Sequence, residues 1–140
     1  MRSVLRSIAA IVAGFVVASI VMMIVESING RVLYPELGKL AEGMTDPEQI
    51  RALMATAPAG ALLVVIVGWI LGSFAGGWVT AWIAGRSTVL HGIVLGGLLT
   101  LAGIANNLML PPPTWFWIVT LFAFVPPAYA GARLAPTREA

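Results

Sequence analysis

Apolar residues come in four long runs along this chain, and polar residues collect between them. The runs extend from about Val4 to Ile28, Ala59 to Ala84, Val89 to Leu110 and Thr114 to Leu134. A bilayer core about 30 Å thick is crossed by about 20 apolar residues in helix, and each run is long enough. The second is the cleanest, with no charged residue between Pro58 and Arg86. Arg2 and Arg6 give the first run the basic start of a secretory signal. Its apolar stretch from Ile8 to Val25 outlasts the roughly 7–15 residues of a signal core, so it is read as a span. The pattern predicts an all-α fold, an integral-membrane four-helix bundle in one domain, with residues 29–58 as its only long loop.

That loop contains one helix signal. Asp46-Pro47-Glu48-Gln49 places an N-cap, a proline in the first turn and a residue suited to a capping box. Ile50, Leu53, Met54 and Ala57 follow at helical spacing. A short amphipathic helix is expected from about Pro47 to Thr56, its apolar face on the membrane surface or on the bundle.

Helices in lipid associate by close packing, and small residues four apart permit it. The second run carries two such rows: Gly72, Gly76, Thr80, Ala84 and Ser73, Gly77, Ala81, Gly85. The third carries Gly92, Gly96 and Thr100, the first Ala10, Gly14 and Ala18, and the fourth Ala128 and Ala132. The short turn around Arg86 predicts that spans two and three pack as a tight antiparallel hairpin. Two rows let span two face two neighbours, either within the chain or in a second copy or another membrane subunit. Pro126 and Pro127 predict a kink in span four, with carbonyls near Phe122 and Ala123 left without partners. The prolines at 111, 112 and 113 read as a stiff turn.

Composition narrows the class. Of 140 residues, 59% are apolar and 10% charged, against about 25% charged in soluble domains. The bilayer is therefore the expected partner. Eight basic and six acidic residues, net +2, are too sparse for a nucleic-acid footprint. With no cysteine and one histidine, no disulfide, thiolate site or histidine-based metal site is expected, nor any cofactor. Four spans put both termini on one side, together with Arg2, Arg6, Arg86, Arg133 and Arg138. The loop side has Arg31, Lys39 and Arg51, so the bias places the termini in the cytoplasm.

Ionisable groups within spans are functional candidates. Glu26 is the only acid in a span. Arg6 to Glu26 is roughly 30 Å of helix, which puts Glu26 near the outer interface with Arg31 available to offset its charge. Asn106 and Asn107 lie roughly 27 Å along span three, in the same layer, and being adjacent they point apart. With Tyr34 and Trp115 they form a candidate outer polar cluster around Glu26. It has the chemistry to hold a cation, an amine or a lipid headgroup, and equally that of a hydrogen-bonded structural knot. His91, near the inner start of span three, is about a bilayer away and reads as an interfacial residue. Trp69, near mid-depth, needs a partner for its indole N–H and reads as core or lipid contact.

Glu26, Tyr34-Pro35, Asp46-Pro47, Trp69, Asn106, the Pro111 to Trp115 stretch, Pro126 and Gly131-Ala132-Arg133 cover most of the chain. In these features it resembles small uncharacterised four-span bacterial membrane proteins. That resemblance implies a bacterial inner-membrane address and carries over no activity and no site residue. Small multidrug-resistance transporters share the length and the acid in span one. Their glutamate lies deep in the span and they lack a long outer loop, so close kinship is rejected. The first functional expectation is a non-enzymatic accessory or structural subunit packing through its small-residue faces. The alternative is a small transporter or channel with its site around Glu26. An enzyme acting on lipid ranks third, because no second acid or base lies near Glu26.

Overall fold

The computed structural model describes residues 1–137 and is helical, with no strand among them. Arg138 lies outside these residues. The order is α1 (Arg2–Ile28), a π-helical segment (Asn29–Leu33), α2 (Pro35–Ala41), α3 (Pro47–Thr56), α4 (Ala59–Ala84), α5 (Thr88–Met109), α6 (Thr114–Thr120) and α7 (Val125–Leu134). Four helical stretches are long and apolar enough to cross a membrane: Ser3–Leu33, Ala59–Ala84, Thr88–Met109 and Thr114–Leu134. The bundle end carrying Arg6 and Arg86 is here the terminal end, and the opposite one the loop end.

The expected loop is shorter than residues 29–58. The first helix does not stop at Ile28 but widens into the π segment and runs on to Leu33. Glu26 therefore sits about two turns inside the end of a continuous helix. The expected helix in the loop forms over Pro47–Thr56, and the Asp46 carboxylate caps it by accepting from the Glu48 N–H at 3.3 Å. Its apolar face lies on the bundle, where Met54 packs against the buried core around Leu62 and Trp69. A second short helix, α2, begins at Pro35. Gly43, at φ +72°, turns the chain between the two.

Both small-residue rows of α4 are used within the chain. Gly72 and Gly76 meet α1 at the carbonyls of Ala18 and Gly14, where an added Cβ would lie 2.7 and 2.6 Å from oxygen. Thr80 sits on the same face, against Gly14. Gly77 and Ser73 lie on the other face; Gly77 meets the Ala128 backbone of α7, and Ser73 is fully buried. Spans two and three do pack against each other across the short turn, with Leu95 against Gly76, but the glycines of α5 are not what joins them. The glycines of α5 receive α7 rather than α4: a Cβ on Gly92 would collide with Ala132, and one on Gly96 would lie 2.7 Å from the Val125 Cα. Because α7 is short, with alanine at 128 and 132, it fits into the angle between α4 and α5. Neither row of α4 is left free to seat a second copy.

Span four is broken rather than kinked. Between α6 and α7, residues 121–124 leave the helix. Pro126 and Pro127 then fall in the first turn of α7, where proline is tolerated. This placement has a use in a membrane. A helix start leaves N–H groups without partners, and the two prolines carry none. On the α6 side, the Phe122 N–H donates to the Val119 carbonyl and the Ala123 N–H to that of Thr120.

At the terminal end, the Arg6 Nε–H donates to the Ile83 carbonyl at 2.7 Å, capping α4 from α1. His91, in the first turn of α5, is buried against its neighbours. Its ring nitrogens lie 2.9 Å from the Ser87 carbonyl and from the Ser7 hydroxyl, so it ties α5 to α1.

Candidate functional site

At the loop end the helices carry larger side chains and part from one another. Three cavities there share Glu26 as a wall. The one roofed by α2 and α3 has a volume of about 260 Å³ and is almost wholly apolar. Leu37 and Ala41 of α2, Leu53 and Met54 of α3, and Ala57 just after it cover it. Leu62, Val65 and Phe116 form its walls. Its polar groups are Glu26, Asn29, Asn106 and the indole of Trp69.

The antiparallel packing of α1 on α4 sets this geometry. Gly68 lets Val25 approach closely, which brings Glu26 beside Trp69. The Trp69 Nε1–H donates to Glu26 Oε1 at 3.3 Å. Trp69 is 4% exposed, stacks on Phe124 with ring centroids 5.0 Å apart, and meets the Phe116 ring edge-on at 5.3 Å. The indole is therefore immobilised on one face by the segment that breaks span four. Its N–H has one direction left, toward the carboxylate.

Among the described residues no basic group forms an ion pair with Glu26. Among the described residues the one ion pair joins Lys39 to Glu36 at 3.3 Å, on the surface. Arg31, expected to offset Glu26, lines a more open groove of about 490 Å³ that Glu26 also borders, without pairing with it. Five residues, about 1.4 helical turns, separate the two along the helix. A third cavity, about 220 Å³, runs from Glu26, Trp69 and Asn106 down between α1 and α5 past Met22 and Leu99.

The predicted polar cluster is divided. Glu26 and Asn106 share the apolar cavity. Asn107 turns the other way, as adjacent amides must. It is 1% exposed and donates through Nδ2 to Thr120 Oγ1 at 3.1 Å. Thr120 donates in turn to the Phe116 carbonyl at 2.7 Å, so this pair braces the end of α6. Tyr34 directs its hydroxyl at Gly60, and Trp115 rests edge-on against Phe116; neither lines the cavity.

One wall residue was not anticipated. Asn29 opens the π segment, is 7% exposed, and donates through Nδ2 to the Ala61 carbonyl at 2.9 Å. Its Oδ1 is buried without a partner. At the sequence level Asn29 reads as the start of a loop. Its one available signal is spacing, three residues after Glu26, which is one face of a helix if the helix continues.

Among the described residues no three His, Asp or Glu side chains come together as metal ligands do. The arrangement suits binding. It offers an exposed carboxylate with spare acceptor sites, amide oxygens and an aromatic wall in a half-open, largely apolar pocket. Comparison with family models, with curated proteins and with solved structures finds no match.

Proposed function

We propose that the protein is a small membrane transporter whose binding site is the apolar cavity at Glu26, and that its cargo is a small cation with an apolar body. One observation carries this reading: a carboxylate on an otherwise apolar wall, bonded to a neutral indole and to no basic group. An ionised carboxylate offers about four acceptor directions, and Trp69 takes one. A cation supplies the missing charge, and the faces of Trp69 and Phe116 favour it further. The apolar body of the ligand fills the space beside Leu53, Met54 and Val65.

Two other features support transport over plain binding. The site lies beside a discontinuous span, a construction that transporters use at their binding sites. Below it, glycine and alanine contacts hold α4 tightly against α1 and α7, while the cavity at Glu26 opens at the loop end. The accessory-subunit reading is weaker for the same reason, because the faces on which it rested are occupied by the chain itself. We read both termini as cytoplasmic, from the basic residues gathered at the terminal end. On the resemblance noted above, we take the membrane to be a bacterial inner membrane.

The test is equilibrium binding to the purified protein in detergent. Benzyltrimethylammonium should bind, and its uncharged isostere neopentylbenzene should bind at least about tenfold more weakly, the worth of one charge-assisted contact. Equal binding of the two would sink the proposal.

A further inference from the structure

The polar groups of the cavity specify more than a positive charge. Asn29 is buried on the cavity wall. Its amide orientation is fixed, because Nδ2 donates to the Ala61 carbonyl. The Oδ1 is thereby left as an acceptor with no donor. A buried acceptor without a partner is costly, by roughly as much as a lost hydrogen bond. Glu26 stands three residues earlier on the same helical face, and the Asn106 amide borders the same cavity from α5. Among the described residues Trp69 is the one side-chain donor to Glu26, and it satisfies a single carboxylate site.

We propose that this cavity selects an ammonium that carries N–H groups, a primary amine in its protonated form, over a fully alkylated cation. The inference rests on the cation-binding reading above and adds the class of amine. A primary ammonium has three N–H donors and no acceptor. Glu26, Asn29 and Asn106 border one apolar space, and each side chain carries an acceptor oxygen. A quaternary ammonium satisfies the charge of Glu26 but leaves Asn29 Oδ1 as it is. Asn29 is thus the residue that determines specificity, and Glu26 the one that determines charge.

The test compares benzylammonium with benzyltrimethylammonium on the full chain in detergent. They share a ring and a charge, and only the first has N–H groups. The wild type should favour benzylammonium by at least about tenfold, as one hydrogen bond to a charged donor provides. Asn29→Ala should bring the ratio close to one while benzyltrimethylammonium still binds, and that binding doubles as the check on folding. Asn106→Ala should reduce the ratio in the same direction. Equal affinities in the wild type would overturn the role of Asn29 and leave the cation site standing. So would an unchanged ratio in Asn29→Ala. Failure of both cations to bind would overturn the cation site, and this inference with it.

Discussion

The two halves of the bundle are built on opposite rules. In the terminal half, backbones touch. Gly14, Gly76, Gly77 and Gly92 have no room for a Cβ, and Ala10, Ala18, Ala81 and Ala132 are fully buried between helices. In the loop half the helices carry Met, Leu, Trp and Phe, and between those side chains lie three cavities that share one carboxylate. The difference teaches where each kind of residue is useful. Small residues give a frame that cannot rearrange without separating helices. Large ones leave gaps, and a polar group placed in a gap is accessible to a ligand.

The asparagine pair repeats this contrast at one step along α5. Asn107 is enclosed and bonded to Thr120, and it holds the broken span. Asn106 borders the cavity. Residue type is the same, and only the neighbour differs.

Substitutions should separate the halves in a graded way. The largest effect is expected from Gly77→Leu. Even its Cβ would occupy the space of the Ala128 backbone, so the fold should lose at least about 3 kcal/mol. Thermal unfolding in detergent would read this as little or no folded protein. Glu26→Gln comes next, with its effect on function alone. The glutamine still accepts from Trp69, so the melting temperature should hold while benzyltrimethylammonium binding falls by at least about tenfold. A melting temperature that collapses would instead make Glu26 a structural residue.

Asn107→Ala should cost about 1 kcal/mol, the usual worth of an interhelical hydrogen bond in a membrane protein, and leave cation binding unchanged. Loss of binding in that variant would show that the two asparagines act together. The smallest effect is expected at Gly97, which faces open space. Gly97→Ala should stabilise the helix by about 0.5–1 kcal/mol, in contrast to every glycine of the packed rows.

Much of this frame is legible in the sequence, for physical reasons. Span positions follow from length and hydropathy, and the α3 start follows from Asp46-Pro47. The small-residue rows are legible as rows. Their partners are not, because glycine carries no mark of what it will touch, and α7 rather than α4 turned out to meet Gly92 and Gly96. The break in span four was half visible: two prolines announce an interruption, but whether the chain bends or leaves the helix depends on what packs there. The continuation through Asn29 was invisible, since π-widening has no composition of its own. That one error hid Asn29, made Arg31 look like a partner for Glu26, and placed the carboxylate too near the helix end. The Glu26–Trp69 contact needed the register of α1 on α4, which no local pattern supplies.

The absence of native cysteine makes the central comparison directly measurable. Val65 lines the cavity, half-buried, whereas Ala81 is fully buried in the terminal half. The rate at which a cationic methanethiosulfonate modifies Val65→Cys and Ala81→Cys, with and without benzylammonium, tests whether the loop half holds an accessible cation site. Val65→Cys should react, be protected by benzylammonium, and react more slowly when Glu26→Gln is added, while Ala81→Cys stays silent. Equal reactivity at both positions, or no protection at Val65→Cys, would contradict the account.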